Sequence, residues 1–304
     1  MEITLLGTGG SLPTKKRFPL SIALSYEGEI LLFDCGEGTQ IQFQKAGLRP
    51  GKLSKVLITH FHGDHFYGLP GLLTSLQLNG REKPLTLFAL EGIQKYVQFM
   101  QEFSHFKLEY PLLFEEVAKT TSQKTWEFRK YYIQARPLDH TATVLGYRFE
   151  EKPRRGKFNV VEAEKLGIPE GPLRNRLQKG EEVQLPDGRI IRPQQVIGPP
   201  RPGKKVAICL DTRPCENAIE LAREADLLIH DGSFDESQTD WAQTTGHSTV
   251  VQAAEVARTA GARRLVLTHI SARYKERDEG LLLQQAQKIF PDTILGRDLM
   301  KIEV

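Results

Sequence analysis

The sequence predicts an α/β fold in which two mixed sheets pack together and helices cover their outer faces. Apolar strand patterns and helical patterns alternate along most of the chain. The length of 304 residues is enough for a two-sheet sandwich around one continuous core. Only residues 150–204 depart from this rhythm. We therefore predict one domain over residues 1–304 with 150–204 as an inserted arm.

The first half of the chain is rich in predicted strands. Alternating or continuous apolar patterns predict strands at residues 2–6, 22–26, 30–34, 55–58, 85–88, 131–135 and 144–149. Helical patterns cover residues 39–46, which Gly47 ends, and 93–103. A glycine-rich turn at 7–10 follows the first strand.

The α/β alternation returns after the arm. Strands are predicted at 206–210, 227–229 and 265–267, alternating with helices at 216–223, 249–260 and 281–289. The arm itself holds 8 of the 17 prolines, with a weak helical pattern at 160–166 and a weak strand pattern at 189–191. Residues 148–205 also carry 14 of the 41 Lys and Arg but only 8 of the 38 Asp and Glu. The basic surplus of the chain is therefore concentrated in the arm.

Composition excludes several classes of protein. Three cysteines without a Cys-x-x-Cys pair indicate neither a disulfide framework nor a thiolate metal site. A run of about 18 apolar residues would be needed to span a membrane, and the sequence has none, so we expect a cytoplasmic protein. A net charge of +3 does not by itself indicate a nucleic-acid partner, because phosphate binding depends on where the charges lie.

Metal-binding chemistry is concentrated at His60-x-His62-x-Asp64-His65. Residues two apart in an extended segment point the same way, so His60 and His62 can converge on one cation, whereas Asp64 and His65 lie beyond a bend and can face another. A polar loop without metal would leave these groups poorly paired. Nitrogen and carboxylate ligands without thiolate favour Zn(II), with Mn(II) or Fe(II) as alternatives.

Three further candidate ligands each follow an apolar strand: His140, Asp211 and His269. Alone, each is more typical of a cap or a surface polar group. Together with the first cluster they make seven ligands, which suits two cations that share one carboxylate.

The metal motif resembles that of the metallo-β-lactamase superfamily, and its flanking motifs resemble ribonuclease Z, the tRNA 3′-processing endonuclease. The resemblance covers nearly the whole chain. It rests on the sequences FDCGEGTQ at 33–40, GLPGL at 68–72, DTRP at 211–214, GHST at 246–249 and LTHISARY at 267–274. It implies a four-layer αββα sandwich with two mixed sheets and a protruding arm.

The resemblance also implies roles for single residues. His60, His62 and His140 would hold one zinc, Asp64, His65 and His269 a second, and Asp211 would bridge the two zinc ions of each subunit. Asp64 would also accept the proton of the attacking water. The product would be a tRNA with a 3′-hydroxyl and a trailer with a 5′-phosphate.

His247 is the candidate for protonating the leaving oxygen, while Ser248 is expected to cap the helix that follows. In the family a glutamate is thought to orient this histidine. This chain has Asp231 instead, one methylene shorter, and whether it reaches His247 stays open. Asp34 and Glu37 are either groups that fix histidine ligands or supports of a turn and a helix start.

Candidate RNA contacts lie in two places. The family's Pro-x-Lys-x-Arg-Asn loop is present with Lys15 and Arg17, but Phe18 replaces the asparagine. The arm resembles the element of short-form ribonuclease Z that grips the tRNA elbow, and the short form is a homodimer. The candidate contacts in the arm are Arg154, Arg155, Lys157, Gly171, Pro172, Arg174 and Arg176. A mobile linker is the alternative interpretation of the arm.

Three other functions stay open on the residues alone. A dinuclear phosphodiesterase acting on small diesters needs the same metals but no arm. A hydrolase of thioesters or lactones shares only the metal motif. An RNA-binding subunit without catalytic activity is a further class, but the presence of all seven ligands argues against it.

Overall fold

The computed structural model describes residues 1–304 and confirms the α/β fold with two large mixed sheets. The strands are β1 (Glu2–Gly7), β2 (Gly9–Gly10), β3 (Ser21–Tyr26), β4 (Glu29–Phe33), β5 (Leu53–Leu57), β6 (Leu85–Leu90), β7 (Leu112–Val117), β8 (Lys124–Glu127), β9 (Tyr131–Leu138), β10 (Val144–Glu151), β11 (Val183–Gln184), β12 (Ile190–Ile191), β13 (Lys205–Cys209), β14 (Leu227–Asp231), β15 (Leu265–Thr268), β16 (Ile270–Ser271), β17 (Thr293–Leu295) and β18 (Lys301–Glu303).

Ten helices accompany these strands. They are α1 (Thr39–Lys45), α2 (Gly63–Phe66), α3 (Leu69–Leu78), α4 (Ile93–Ser104), α5 (Val160–Lys165), α6 (Pro172–Gln178), α7 (Glu216–Ala222), α8 (Thr239–Thr245), α9 (Val250–Ala260) and α10 (Glu279–Gln287). No helix combines the length and the apolar character that crossing a membrane requires.

Each large sheet has seven strands and mixes parallel with antiparallel pairs. The first runs β18-β1-β3-β4-β5-β6-β7, and the second β17-β15-β14-β13-β10-β9-β8. In the first, β1, β3 and β4 pair antiparallel whereas β4 to β7 pair parallel. In the second, β13, β14, β15 and β17 are parallel. The carboxyl ends of parallel strands therefore meet at one edge of each sheet, where side chains from distant parts of the chain can converge.

Strand periodicity explains why both faces of the first sheet are apolar. On β4, Ile30 and Leu32 belong to the apolar cluster that includes residues of α1, α3 and α4. Phe33 points the other way, with its ring 6.0 Å from that of Tyr147 on β10 in the second sheet. The second sheet has its own outer cluster with α7, α9 and α10. The order of layers is therefore helix, sheet, sheet, helix.

The chain divides into two compact units. One comprises Met1–Phe128, Tyr132–Phe149 and Lys205–Val304, and the other Arg129–Tyr131 and Glu150–Lys204. The smaller unit contains α5, α6, β11 and β12, and has its own apolar core of Ala163, Ile168, Leu177, Val183, Leu185, Ile191 and Val196. Such a core distinguishes this segment from an unstructured linker. The organisation of residues 1–304 as one domain stays a prediction.

Candidate metal centre and active site

Strand ends and one short helix bring the seven predicted ligands together. The chain leaves β5 in an extended segment that carries His60 and His62, and α2 then turns Asp64 and His65 onto a helix. His140 follows β9, Asp211 follows β13 and His269 follows β15. These side chains form two groups of converging ligand atoms, His60 with His62 and His140, and Asp64 with His65, Asp211 and His269.

In the second group, the distances between ligand atoms match those around a cation with tetrahedral coordination. His65 Nε2 lies 3.1 Å from Asp211 Oδ2 and 3.6 Å from Asp64 Oδ2. His269 Nε2 lies 3.1 Å from Asp64 Oδ2, 3.2 Å from Asp211 Oδ2 and 3.3 Å from His65 Nε2. Two ligand atoms that are each about 2.0–2.1 Å from a tetrahedral Zn(II) lie about 3.3 Å apart. The four residues therefore fit a divalent cation.

The first group, His60, His62 and His140, is more exposed to solvent but can also hold a cation. His62 Nδ1 and His140 Nε2 are 3.3 Å apart. His60 Nε2 is buried without a hydrogen-bond partner, as is Asp211 Oδ1. Burial, together with the neighbouring His65, holds the pKa of His60 well below its ordinary range, so that its ring is neutral. Two unpaired buried acceptors are costly unless a cation binds them, so the donor set fits a second divalent cation.

Asp34 holds one of the ligand histidines, His65, by a direct hydrogen bond. His65 Nδ1 donates to Asp34 Oδ2 at 2.8 Å, and Thr59 contributes its backbone N–H and its hydroxyl. Burial raises the pKa of Asp34, while the charge on His65 and these hydrogen bonds lower it. Asp34 therefore lies where a group that orients metal ligands should lie. Glu37 is exposed and has no hydrogen bond to a histidine, so nothing in the structure supports a role in fixing a ligand.

The structure settles the contact that the sequence left open. His247 Nδ1 donates to Asp231 Oδ2 at 2.8 Å, so the shorter acid does reach the histidine. Asp231 lies at the buried end of β14, and backbone N–H groups of Thr212 and Ser233 also donate to it. Burial disfavours the charged imidazole, but Asp231 raises the pKa of His247 to about 9. Nearby His230 is buried with its Nδ1 on the Asp231 carbonyl and has no place among the ligand groups.

The helix after His247 is capped differently from the expectation. Thr249 is the N-cap of α9, accepting from the Gln252 N–H while the Gln252 side chain accepts from the Thr249 N–H. Ser248 donates instead to the Thr212 carbonyl at 2.7 Å. The expectation that Ser248 caps the helix is therefore wrong by one residue.

The N-terminal loop uses its arginine internally. Arg17 donates to Thr8 at 2.6 Å, to the Gly296 carbonyl at 2.7 Å and to Glu279 at 2.5 Å, with its side chain only 11% exposed. The guanidinium of Arg17 is therefore bound to groups of the protein itself and is not free to contact RNA. Lys15 is exposed and stays available.

Phe18 also has an internal role. Its ring lies against Gly38, where an added Cβ would come within 2.7 Å of it, and Lys45 Nζ lies 5.3 Å from the ring centroid. Its backbone N–H donates to Asp298 at 2.7 Å. The ring therefore supports the start of α1, where Gly38 is the N-cap.

The basic residues of the arm differ in exposure. Arg174 is 12% exposed and donates twice to the Ile168 carbonyl, at 3.0 and 2.9 Å, so it holds the arm together. Arg155 donates to the Gln178 carbonyl at 2.7 Å. Arg176 pairs with Glu181, and Arg154 with Glu151. Lys157 is exposed and forms no ion pair, and the same holds for Lys179, a further lysine of the arm. Gly171 and Pro172 are exposed at the start of α6.

Two hydroxyl residues at the centre are missing from the sequence prediction. Thr59 contacts His60, and Ser233 contacts His269. Thr59 directly precedes His60, and Ser233 comes two positions after Asp231. A single Ser or Thr, however, forms no sequence pattern that would indicate a function. Only the folded arrangement of strand ends reveals these contacts.

Comparisons with known proteins agree with this geometry. Ribonuclease Z of Methanosarcina acetivorans is 42% identical over 304 residues, covering 100% of this chain and 98% of the relative. Ribonuclease Z of Limosilactobacillus fermentum is 44% identical over 307 residues, with 100% and 98% covered. The crystal structure of human tRNase Z, short form, superposes with a TM-score of 0.75 at 29% identity, covering 100% of this chain and 99% of that one.

Family models match parts of the chain. The model described as anti-Pycsar protein Apyc1 matches residues 1–142, and the β-lactamase superfamily domain matches residues 195–270. A metallo-β-lactamase fold protein from Bacillus subtilis has a TM-score of 0.70 at 16% identity, with 100% and 98% covered, which supports the fold alone.

Proposed function

The chain belongs to the ribonuclease Z family, and on that premise we propose that it removes the 3′ trailer from tRNA precursors, leaving a 3′-hydroxyl on the tRNA. It is a hydrolytic endoribonuclease of the metallo-β-lactamase fold. The observation that carries the proposal is the pair of ligand groups that meet at Asp211.

We propose two Zn(II) per subunit as the cofactor, with Mn(II) or Fe(II) as alternatives. His60, His62 and His140 would hold one ion, Asp64, His65 and His269 the other, and Asp211 both. When bound, the cations activate water and neutralise charge on the phosphoryl oxygens. The nitrogen and carboxylate donor set and its tetrahedral spacing support this proposal.

Asp64 would accept the proton of the attacking water. Its Oδ2 receives the Ser11 N–H at 2.7 Å and lies 3.1 Å from His269 Nε2. Burial alone would raise the pKa of Asp64, but the neighbouring His269 and His65 rings hold that pKa well below its ordinary value. The carboxylate is thus ionised, which is the form that can accept a proton.

His247 would complete the displacement. Water attacks phosphorus, the bond from phosphorus to the 3′ oxygen breaks, and that oxygen takes the proton of His247 while the phosphate stays on the trailer. Because Asp231 holds Nδ1, Nε2 is the nitrogen left to donate. The imidazole ring lies 5.0 Å from that of His140 and 5.1 Å from that of His269, beside both ligand groups.

The arm, residues 150–204, is proposed as the tRNA-binding element. Its exposed lysines and the Gly171-Pro172 start of α6 can contact phosphates without reading sequence, which suits an enzyme that serves many tRNAs. Arg154, Arg155 and Arg176 would have to exchange present partners for phosphate. The same residues distinguish this proposal from a phosphodiesterase of small diesters, which needs no arm.

Deleting residues 152–203 should raise the KM for precursor tRNA and leave hydrolysis of a small chromogenic phosphodiester unchanged. The deletion connects residues 151 and 204, which are already close, because the Glu151 N–H donates to the Lys204 carbonyl at 2.8 Å. The paired substitutions Lys157→Glu and Lys179→Glu should act in the same direction and reduce the salt dependence of binding. Lys95→Glu, an exposed lysine on α4, is the matched control. Equal losses on both substrates would show that the arm is only structural.

A homodimer is the proposed assembly, on the resemblance to the short form of the family. The cytoplasmic location stays a prediction.

A further inference from the structure

Two buried hydroxyl groups each lie between a carboxylate and a histidine ring. Thr59 Oγ1 is 2.9 Å from Asp34 Oδ2 and 2.9 Å from His60 Nδ1. The second hydroxyl repeats this order: Ser233 Oγ is 2.6 Å from Asp231 Oδ1 and 2.9 Å from His269 Nδ1. Thr59 follows β5 of the first sheet, whereas Ser233 follows β14 of the second.

Counting protons fixes the direction of the first pair of hydrogen bonds. Asp34 acts as an acceptor, since it receives the Thr59 N–H at 2.7 Å and His65 Nδ1 at 2.8 Å. A hydroxyl has one proton, which Thr59 therefore gives to Asp34. The Thr59 oxygen can then only accept from His60, so the proton of that ring must be on Nδ1.

The same count holds at Ser233. Its hydroxyl also lies 2.9 Å from the His269 backbone carbonyl, but a carbonyl is an acceptor like the carboxylate. The Ser233 proton goes either to the Asp231 carboxylate or to the His269 carbonyl, so the serine has no proton left to donate to the His269 ring. His269 must therefore donate from Nδ1 as well.

We propose that Thr59 and Ser233 are positioning residues that fix His60 and His269 in the Nδ1–H tautomer, so that each Nε2 presents its lone pair to a cation. The inference rests on the metal centre of the proposed function but not on RNA cleavage. His60 Nε2 is buried without a partner, and His269 Nε2 lies among the other ligand atoms of its group. Each carboxylate thus controls two rings, one directly and one through a hydroxyl.

The test is zinc affinity of the full chain, measured by competition with a chromogenic chelator after metal removal. Ser233→Ala and Thr59→Val should each weaken zinc binding by about 10–100-fold, the usual effect of losing a group that orients a ligand. Ser233→Thr and Thr59→Ser keep the hydroxyl and should restore affinity. Thr39→Val removes another buried hydroxyl, which donates to the Gly36 carbonyl at 2.7 Å, and should leave affinity unchanged.

A spectroscopic readout separates tautomer control from general loosening. In nitrogen–proton correlation spectra of the imidazoles of the metal-free chain, His60 should show the Nδ1–H tautomer, and Thr59→Val should change that signal. Wild-type zinc affinity in both hydroxyl-deleted variants would overturn the inference and leave the proposed function standing. A wild-type chain that binds no zinc would overturn the metal centre, and the inference with it.

Discussion

Asp211→Ala should lose bound zinc and cleavage of precursor tRNA together, while the protein stays folded. Asp211 Oδ2 lies 3.1 Å from His65 Nε2, 3.2 Å from His269 Nε2 and 4.0 Å from His60 Nε2. One carboxylate therefore connects both ligand groups. Removing a group that only orients a metal ligand usually lowers metal affinity or activity by about 10–100-fold. Removing the shared ligand itself should therefore lower zinc affinity and cleavage rate by more than about 100-fold.

Elemental analysis after gel filtration measures the metal, and a labelled precursor measures cleavage. The fold should survive, because the Asp211 carboxylate accepts no hydrogen bond from the backbone and its Oδ1 has no partner. Circular dichroism and thermal unfolding check this point. Wild-type cleavage in this variant would contradict the assignment of the site.

His247→Ala should lower kcat for precursor tRNA by about 10²–10⁴-fold, the range that a general acid contributes. Its zinc content and KM should change little, because the ring is held by Asp231 and is assigned to neither metal. Single-turnover kinetics with saturating enzyme give the chemical step directly. Asp231→Asn should lower the same rate constant, because the partner that keeps His247 charged is lost.

His105→Asn is the matched control for this prediction. His105 is an exposed histidine at the end of α4, and asparagine tolerates its left-handed backbone, φ 52°. It should cleave at the wild-type rate. Loss of zinc in His247→Ala, or an unchanged rate, would contradict the role of His247 as the acid.

The metal ligands could be predicted because strand-end positions are visible in the pattern. His140, Asp211 and His269 each directly follow or come soon after an apolar run, and strands of one sheet deliver such residues to a common edge. The contact of Asp231 with His247 could not be predicted, because it depends on the distance between β14 and the start of α9. One methylene of side-chain length is smaller than the variation in that distance.

For Arg17 and Arg174, the structure does not support the RNA contact that the sequence predicts. A basic residue in a loop indicates a possible phosphate contact, but the sequence does not tell which carbonyl or carboxylate lies within reach after folding. Both guanidinium groups are in fact mostly buried on internal acceptors. The sequence pattern does not predict helix α3, because Pro70 and Gly71 resemble a turn, although proline is well tolerated in the first turn of a helix.

Mapping the cut in a tRNA precursor tests the central claim most directly. The zinc-loaded chain is incubated with a labelled precursor that carries a 3′ trailer, with and without chelator, and the new ends are identified. The account predicts chelator-sensitive cleavage just after the discriminator base, with a 3′-hydroxyl on the tRNA and a 5′-phosphate on the trailer. An intact precursor beside rapid hydrolysis of a small phosphodiester would contradict it and favour the small-diester enzyme.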